Sequence, residues 1–160
     1  MITIFEKFSA PKPYIEEKFD ELFEQLEIAI NLDFKIGIFV GGTSDITMYS
    51  TRTKYISPII RHTLYRYFLQ IAVRNDIGNR QYNKRDGIQI IFYTYPNSEE
   101  VIDLLESIVS NKSILLDRRN IEFISIPEQK NYRAYFIYLE DVDDIINNIK
   151  MIQNTKKYNI

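Results

Sequence analysis

A single amphipathic stripe near the start constrains this chain most. Between residues 13 and 31, Ile15, Phe19, Leu22, Phe23, Leu26 and Ile30 recur at steps of three and four. Glu16, Glu17, Asp20, Glu21, Glu24 and Glu27 fill the turns between them. That spacing gathers the apolar side chains on one side of a helix and the acids on the other. Such a helix needs an apolar layer to rest on, so the rest of the chain must supply one. Pro11 and Pro13 punctuate its entry. A second stripe of Val142, Ile145, Ile146, Ile149 and Ile152 predicts a final helix from about Asp141. A third, of Val101, Leu104, Leu105 and Ile108, predicts a helix over 99–111. Glu99 and Glu100 sit in its first turn, where acids complement the helix dipole.

Between these stripes the period shifts from 3.6 towards two. Residues 35–40 read as a strand, Gly41-Gly42-Thr43-Ser44-Asp45 as a turn, and 45–51 as the returning strand. Residues 57–74 carry two signals. Ser57-Pro58 has the form of a helix cap followed by proline at the first helical position. Tyr65, Tyr67, Leu69, Ile71 and Val73 alternate with Arg66, Gln70 and Arg74, as in a half-buried strand. A short helix at 57–63 running into a strand at 64–74 accommodates both. A polar loop at 75–87 then leads to a strand at 88–95. Residues 121–126 and 132–140 form an expected hairpin around Pro127–Asn131. The expected fold is α+β: a mainly antiparallel sheet flanked by three to four helices, with a β-α-β-β unit in the C-terminal half. No repeat, linker or low-complexity tract divides the 160 residues, so 1–160 reads as a single α+β domain.

Charge is segregated along this domain. Residues 1–51 carry four basic and nine acidic side chains. Residues 52–85 carry Arg52, Lys54, Arg61, Arg66, Arg74, Arg80, Lys84 and Arg85 against Asp76 alone. Residues 86–160 carry eight basic and twelve acidic side chains. The formal net charge of −2 hides this pattern. The basic block, with His62 inside it, is the candidate positive surface. Glu17, Asp20, Glu21, Glu24 and Glu27 form the candidate acidic one. Three readings fit a basic patch: phosphates, which the guanidinium fork suits, an acidic surface on this chain or a neighbouring copy, or a solvated face with no partner. Acidic blocks on both sides disfavour a passing nucleic-acid backbone.

Chemistry-bearing patterns are sparse. The chain has no Cys and only one His, His62, so a thiolate site or the usual transition-metal ligand sets are not expected, nor is a cofactor. Arg61, His62 and Arg66 superficially resemble a phosphoryl-transfer cluster, with the wrong spacing. Asp86, Glu99 and Glu100 lie near strand ends, where metal-dependent nucleases hold carboxylates, without the accompanying Glu-x-Lys. Gly41-Gly42-Thr43-Ser44 lacks the longer glycine pattern of a phosphate loop. Asp103, Glu106, Asp141, Asp143 and Asp144 read as solvated helical acids. No run approaches the roughly eighteen apolar residues of a membrane span, and Glu6 interrupts the region where a secretory signal would be apolar. The expectation is a non-secreted protein without a membrane partner.

One resemblance arises from the order of elements over 64–140. Strand, polar loop, strand, the Pro96-Asn97-Ser98-Glu99-Glu100 turn, helix, and a closing hairpin containing Tyr132-Arg133-Ala134-Tyr135-Phe136-Ile137 resemble the tail-terminator and tail-completion (neck) proteins of tailed bacteriophages. The resemblance covers about half of the chain and rests on element order. It implies a non-enzymatic virion component, assembled in the host cytoplasm, that forms a ring with copies of itself and contacts other virion proteins. The segregated charge suits this, because a head-to-tail ring joins two different surfaces of one chain. Two alternatives stand beside it. One is a small nucleic-acid-binding or host-inhibitory protein of the cytoplasm, using 52–85. The other is a metal-dependent nuclease using Asp86.

Overall fold

A computed structural model describes residues 14–33, 38–43, 53–58, 68–74, 86–93, 100–121 and 131–158. In chain order these form α1 (Tyr14–Asp33), β1 (Ile38–Thr43), β2 (Thr53–Pro58), β3 (Leu69–Arg74), β4 (Gly87–Tyr93), α2 (Glu100–Asn111), β5 (Ile114–Leu115), β6 (Tyr132–Tyr138) and α3 (Val142–Tyr158). Short 3-10 turns occupy Arg118–Asn120 and Leu139–Asp141. The strands make one antiparallel sheet in the order β1-β2-β3-β4-β6-β5. The fold is α+β, and its C-terminal half is the β-α-β-β unit β4-α2-β5-β6.

The three described helices all serve one face of the sheet. Phe19, Leu22, Phe23, Leu26, Ala29 and Ile30 of α1 join Val101, Ile102, Leu105 and Val109 of α2 and Val142, Ile145, Ile146 and Ile149 of α3 in one buried cluster. Alternate strand residues complete it: Ile56, Leu69, Ile71, Val73, Ile88, Ile90, Phe92, Tyr135 and Ile137. Register explains the selection, because Ile56 faces Leu69, Leu69 faces Phe92, and Ile90 faces both Ile71 and Tyr135. The helices are also tied by charge. Lys18 Nζ lies 2.6 Å from Asp143 Oδ1 and 3.4 Å from Glu21 Oε2, joining α1 to α3. The Asp143 carboxylate and Glu21 hold the Lys18 ammonium above its ordinary pKa. Lys112 at the end of α2 reaches Asp144 of α3 at 3.7 Å.

The other sheet face is buried too, by different means. Gln70, Ala72 and Arg74 of β3, and Gln89, Ile91 and Tyr93 of β4, are at most 4% exposed. Leu116 and Ile121 pack there on Ile91, Tyr93, Ala134 and Phe136, so the segment after β5 folds across this face. Gly87 makes room for an aromatic ring on this face. A Cβ on Gly87 would meet the Ile137 carbonyl oxygen and the ring of Phe136. With no side chain there, the Phe136 ring lies close to β4, within cation-π range of Arg74 at 5.8 Å, and edge-on to Tyr138 at 5.4 Å.

Several expectations need correction. Gly41-Gly42-Thr43 is not a turn: it continues β1, paired with Tyr55, Lys54 and Thr53. Glycine is compatible with extended backbone, and this pairing carries the strand three residues past Val40. Ser57-Pro58 does not cap a helix, since both close β2 opposite Phe39 and Ile38. The α2 stripe is turned by about one residue, burying Ile102 and Val109 and leaving Leu104 40% exposed. The alternation in β3 does not mark a solvated face, because all six of its residues are buried. The expected strand at 45–51, the helix at 59–63, and 122–126 of the expected hairpin lie outside the described residues. The outer neighbour described for β6 is β5, with Ile114 facing Phe136 and Leu115 facing Tyr135.

Candidate interaction surfaces

Of the nine basic-block candidates, the structure describes two, Lys54 and Arg74. Arg52, Arg61, His62, Arg66, Arg80, Lys84 and Arg85 lie outside the described residues. Lys54 projects from β2 towards α1, 3.9 Å from Asp20 Oδ1 and 4.8 Å from the centre of the Phe23 ring. An acidic-helix candidate and a basic-block candidate therefore meet inside one chain.

Arg74 is the larger correction. It is 4% exposed and belongs to the interior. Its guanidinium donates to the Asn120 carbonyl at 2.6 Å and to Gln89 Oε1 at 3.2 Å. Asp117 prepares that acceptor: its carboxylate accepts from the Arg119 backbone N–H at 3.1 Å and the Asn120 amide at 3.0 Å. The 3-10 turn is thereby fixed with one carbonyl aimed at Arg74. Beside it, Tyr93 donates to Gln70 Oε1 at 3.0 Å. Buried polar groups of this kind are tolerated because they are hydrogen-bonded. Arg74 offers no surface to phosphate or protein.

The acidic candidates keep their place on α1. Glu17 and Glu24 are exposed, while Asp20, Glu21 and Glu27 are half-buried. Glu24 begins an outward row that continues one and two turns later with Ile28 and Leu32, which are 37% and 51% exposed.

The other acids sort differently. Glu106 is not a solvated helical acid. Arg133 grips it with a fork, Nε to Oε2 at 2.7 Å and Nη2 to Oε1 at 2.8 Å, and the Tyr135 hydroxyl donates to it at 3.3 Å. Glu106 raises the pKa of Arg133, while burial, then the Glu106 charge, raise that of Tyr135. Asp143 and Asp144 are the interhelical partners already described. Asp86 and Glu100 are exposed, and Glu99 lies outside the described residues. Among the described residues no group of three or more His, Asp or Glu is placed to hold a metal ion, and no helix is long and apolar enough to cross a membrane.

A further surface went unnoticed in the sequence. Beyond β5, Leu115, Leu116, Arg118, Ile121, Tyr132, Arg133 and Ala134 line an open groove of about 450 Å³ along the outer side of β6. Leu115 is 60% exposed at its rim. Arg118 Nε donates to the Tyr132 hydroxyl at 3.1 Å, and its guanidinium lies 6.0 Å from the Tyr132 ring centre. The run Ile114-Leu-Leu-Asp-Arg-Arg-Asn120, three apolar residues followed by paired arginines, was the available signal.

No protein family, curated protein or solved structure matches this chain.

Proposed function

We propose that this chain is a non-enzymatic assembly protein that associates with copies of itself into a ring, as a neck or tail component of a tailed-phage virion. The observation that carries the reading is how its charges are used. Glu106, Asp143, Asp144, Lys18 and Arg74 tie elements of the chain to one another. The outward surfaces differ in sign and place: Glu17 and Glu24 on α1, and Arg118 and Arg119 beyond β5. Two unlike surfaces on one protomer favour head-to-tail association, which closes into a ring when the rotation between copies permits. The element order of the β4-α2-β5-β6 unit supports the same reading.

The nucleic-acid alternative loses Arg74, a central residue of the proposed phosphate-binding block. Native mass measurement and light scattering of the purified chain across a concentration series test the proposal. A discrete oligomer of several copies is the expected result. A strict monomer at the highest soluble concentration removes it.

A further inference from the structure

We infer that the groove beside β6 receives the Glu24/Ile28/Leu32 row of α1 from a second copy of this chain. This rests on the self-association proposed above and gives it a specific contact. The two surfaces match in kind. The groove offers exposed Leu115 and half-buried Ile121 as apolar contacts, and Arg118 as the cation beside Arg133, which Glu106 already holds. The α1 row offers two exposed apolar residues one turn apart, preceded by an exposed acid one turn earlier. Glu24 to Leu32 spans about 12 Å of helix at the usual rise per residue. Seating Ile28 and Leu32 against Leu115 and Ile121 buries side chains that water now covers, and brings Glu24 to Arg118.

The Arg118 side chain is already oriented by the Tyr132 hydroxyl, which lowers the ordering cost of a charge-assisted hydrogen bond. The groove flanks the outer side of β6, whereas α1 lies on the helical face. The contact is therefore heterologous and leaves both surfaces free at the ends of an incomplete assembly. An Arg-Tyr pair can also stack on a nucleic-acid base. The apolar lining and a formal net charge of −2 favour a protein occupant.

The test is a charge exchange followed by native mass measurement and light scattering. Arg118→Glu and Glu24→Arg alter exposed side chains, and circular dichroism checks that each variant folds. Each single variant is expected to weaken association on the order of tenfold or more, equivalent to about 1.4 kcal/mol. The double variant Glu24→Arg/Arg118→Glu is expected to recover most of it. Leu115→Asp, which removes the apolar contact without touching the charge pair, should also dissociate the assembly. An oligomer that survives Arg118→Glu and Leu115→Asp unchanged overturns this contact and leaves self-association standing through another surface. A wild-type chain that is monomeric throughout overturns both. A single-stranded oligonucleotide bound by the wild-type chain and lost in Arg118→Glu, with no effect on mass, assigns the groove to nucleic acid instead.

Discussion

The two faces of the sheet are equally dry and are held by different forces. Towards the helices, the buried strand side chains described are aliphatic or aromatic, with the Tyr135 hydroxyl as their one polar atom, and stability comes from area and close packing. On the opposite face, Gln70, Arg74, Gln89 and Tyr93 share the interior with Ile91, Ala134 and Phe136. There, geometry decides the energy, because a buried polar group is tolerated only while its partners stay in place. The helical face should therefore respond to lost volume, and the other face to a lost hydrogen bond.

The largest expected effect lies on the helical face. Leu22 is fully buried at the centre of α1, so Leu22→Ala should cost ~2–5 kcal/mol through lost transfer energy and a residual cavity. Urea unfolding at fixed protein concentration measures it. A cost below about 1 kcal/mol would mean that the helices rest loosely on the sheet, and the contrast between faces would fail.

Next comes Arg74. Arg74→Ala should cost about 2–3 kcal/mol, because it removes the donor to the Asn120 carbonyl and to Gln89. The comparison turns on Arg74→Met, which restores much of the volume without the donor. Recovery of less than half of the loss is expected. Full recovery would make this face a packed apolar interior like the other.

The faces also differed in how far the sequence disclosed them. Phe19, Leu22, Phe23, Leu26 and Ile30, and Val142, Ile145, Ile146 and Ile149, were legible because helical periodicity reports burial directly. Gln70 and Arg74 misled for the same reason: polar residues at alternate positions of a strand ordinarily mean water. Their burial depends on Leu116, Asn120 and Ile121 folding back from forty or more residues away, and no local pattern encodes that return. The acidic helix and the basic block were each legible as surfaces, and the structure brings one member of each together as Asp20 and Lys54. The groove was not anticipated, because Arg118 and Tyr132 are brought together only by β5 and β6 pairing.

Gly87 tests the boundary between the faces. A Cβ there would meet both the Ile137 carbonyl oxygen and the Phe136 ring, so the main chain and the ring would have to move together. Gly87→Ala should cost about 1–3 kcal/mol by overpacking. Displacing Phe136 also withdraws a ring from Arg74, so the double variant with Arg74→Met should cost less than the sum of the two. Strict additivity would separate Gly87 from the polar interior.

The smallest effect is electrostatic and belongs to the helical side. Lys18 is held above its ordinary 10.5 mainly by Asp143, and Tyr135 above 10.0 mainly by burial. Both groups bind protons more tightly in the folded chain than in the unfolded one, so stability falls as pH rises through this range. Their contribution is complete below about pH 10 and is lost progressively above it, as each approaches its folded pKa. Arg133, raised by Glu106, remains charged there and adds no slope. Stability of the wild-type chain, followed by urea midpoint from pH 9 to 11, should therefore decline on the alkaline side. Tyr135→Phe, which cannot ionise, and Lys18→Met, which has no proton to lose, should each flatten part of that decline. A decline that persists undiminished in the double variant would locate the alkaline weakness outside α1, α3 and the Tyr135–Glu106 contact, and the helical face would no longer be the one whose charges respond to pH.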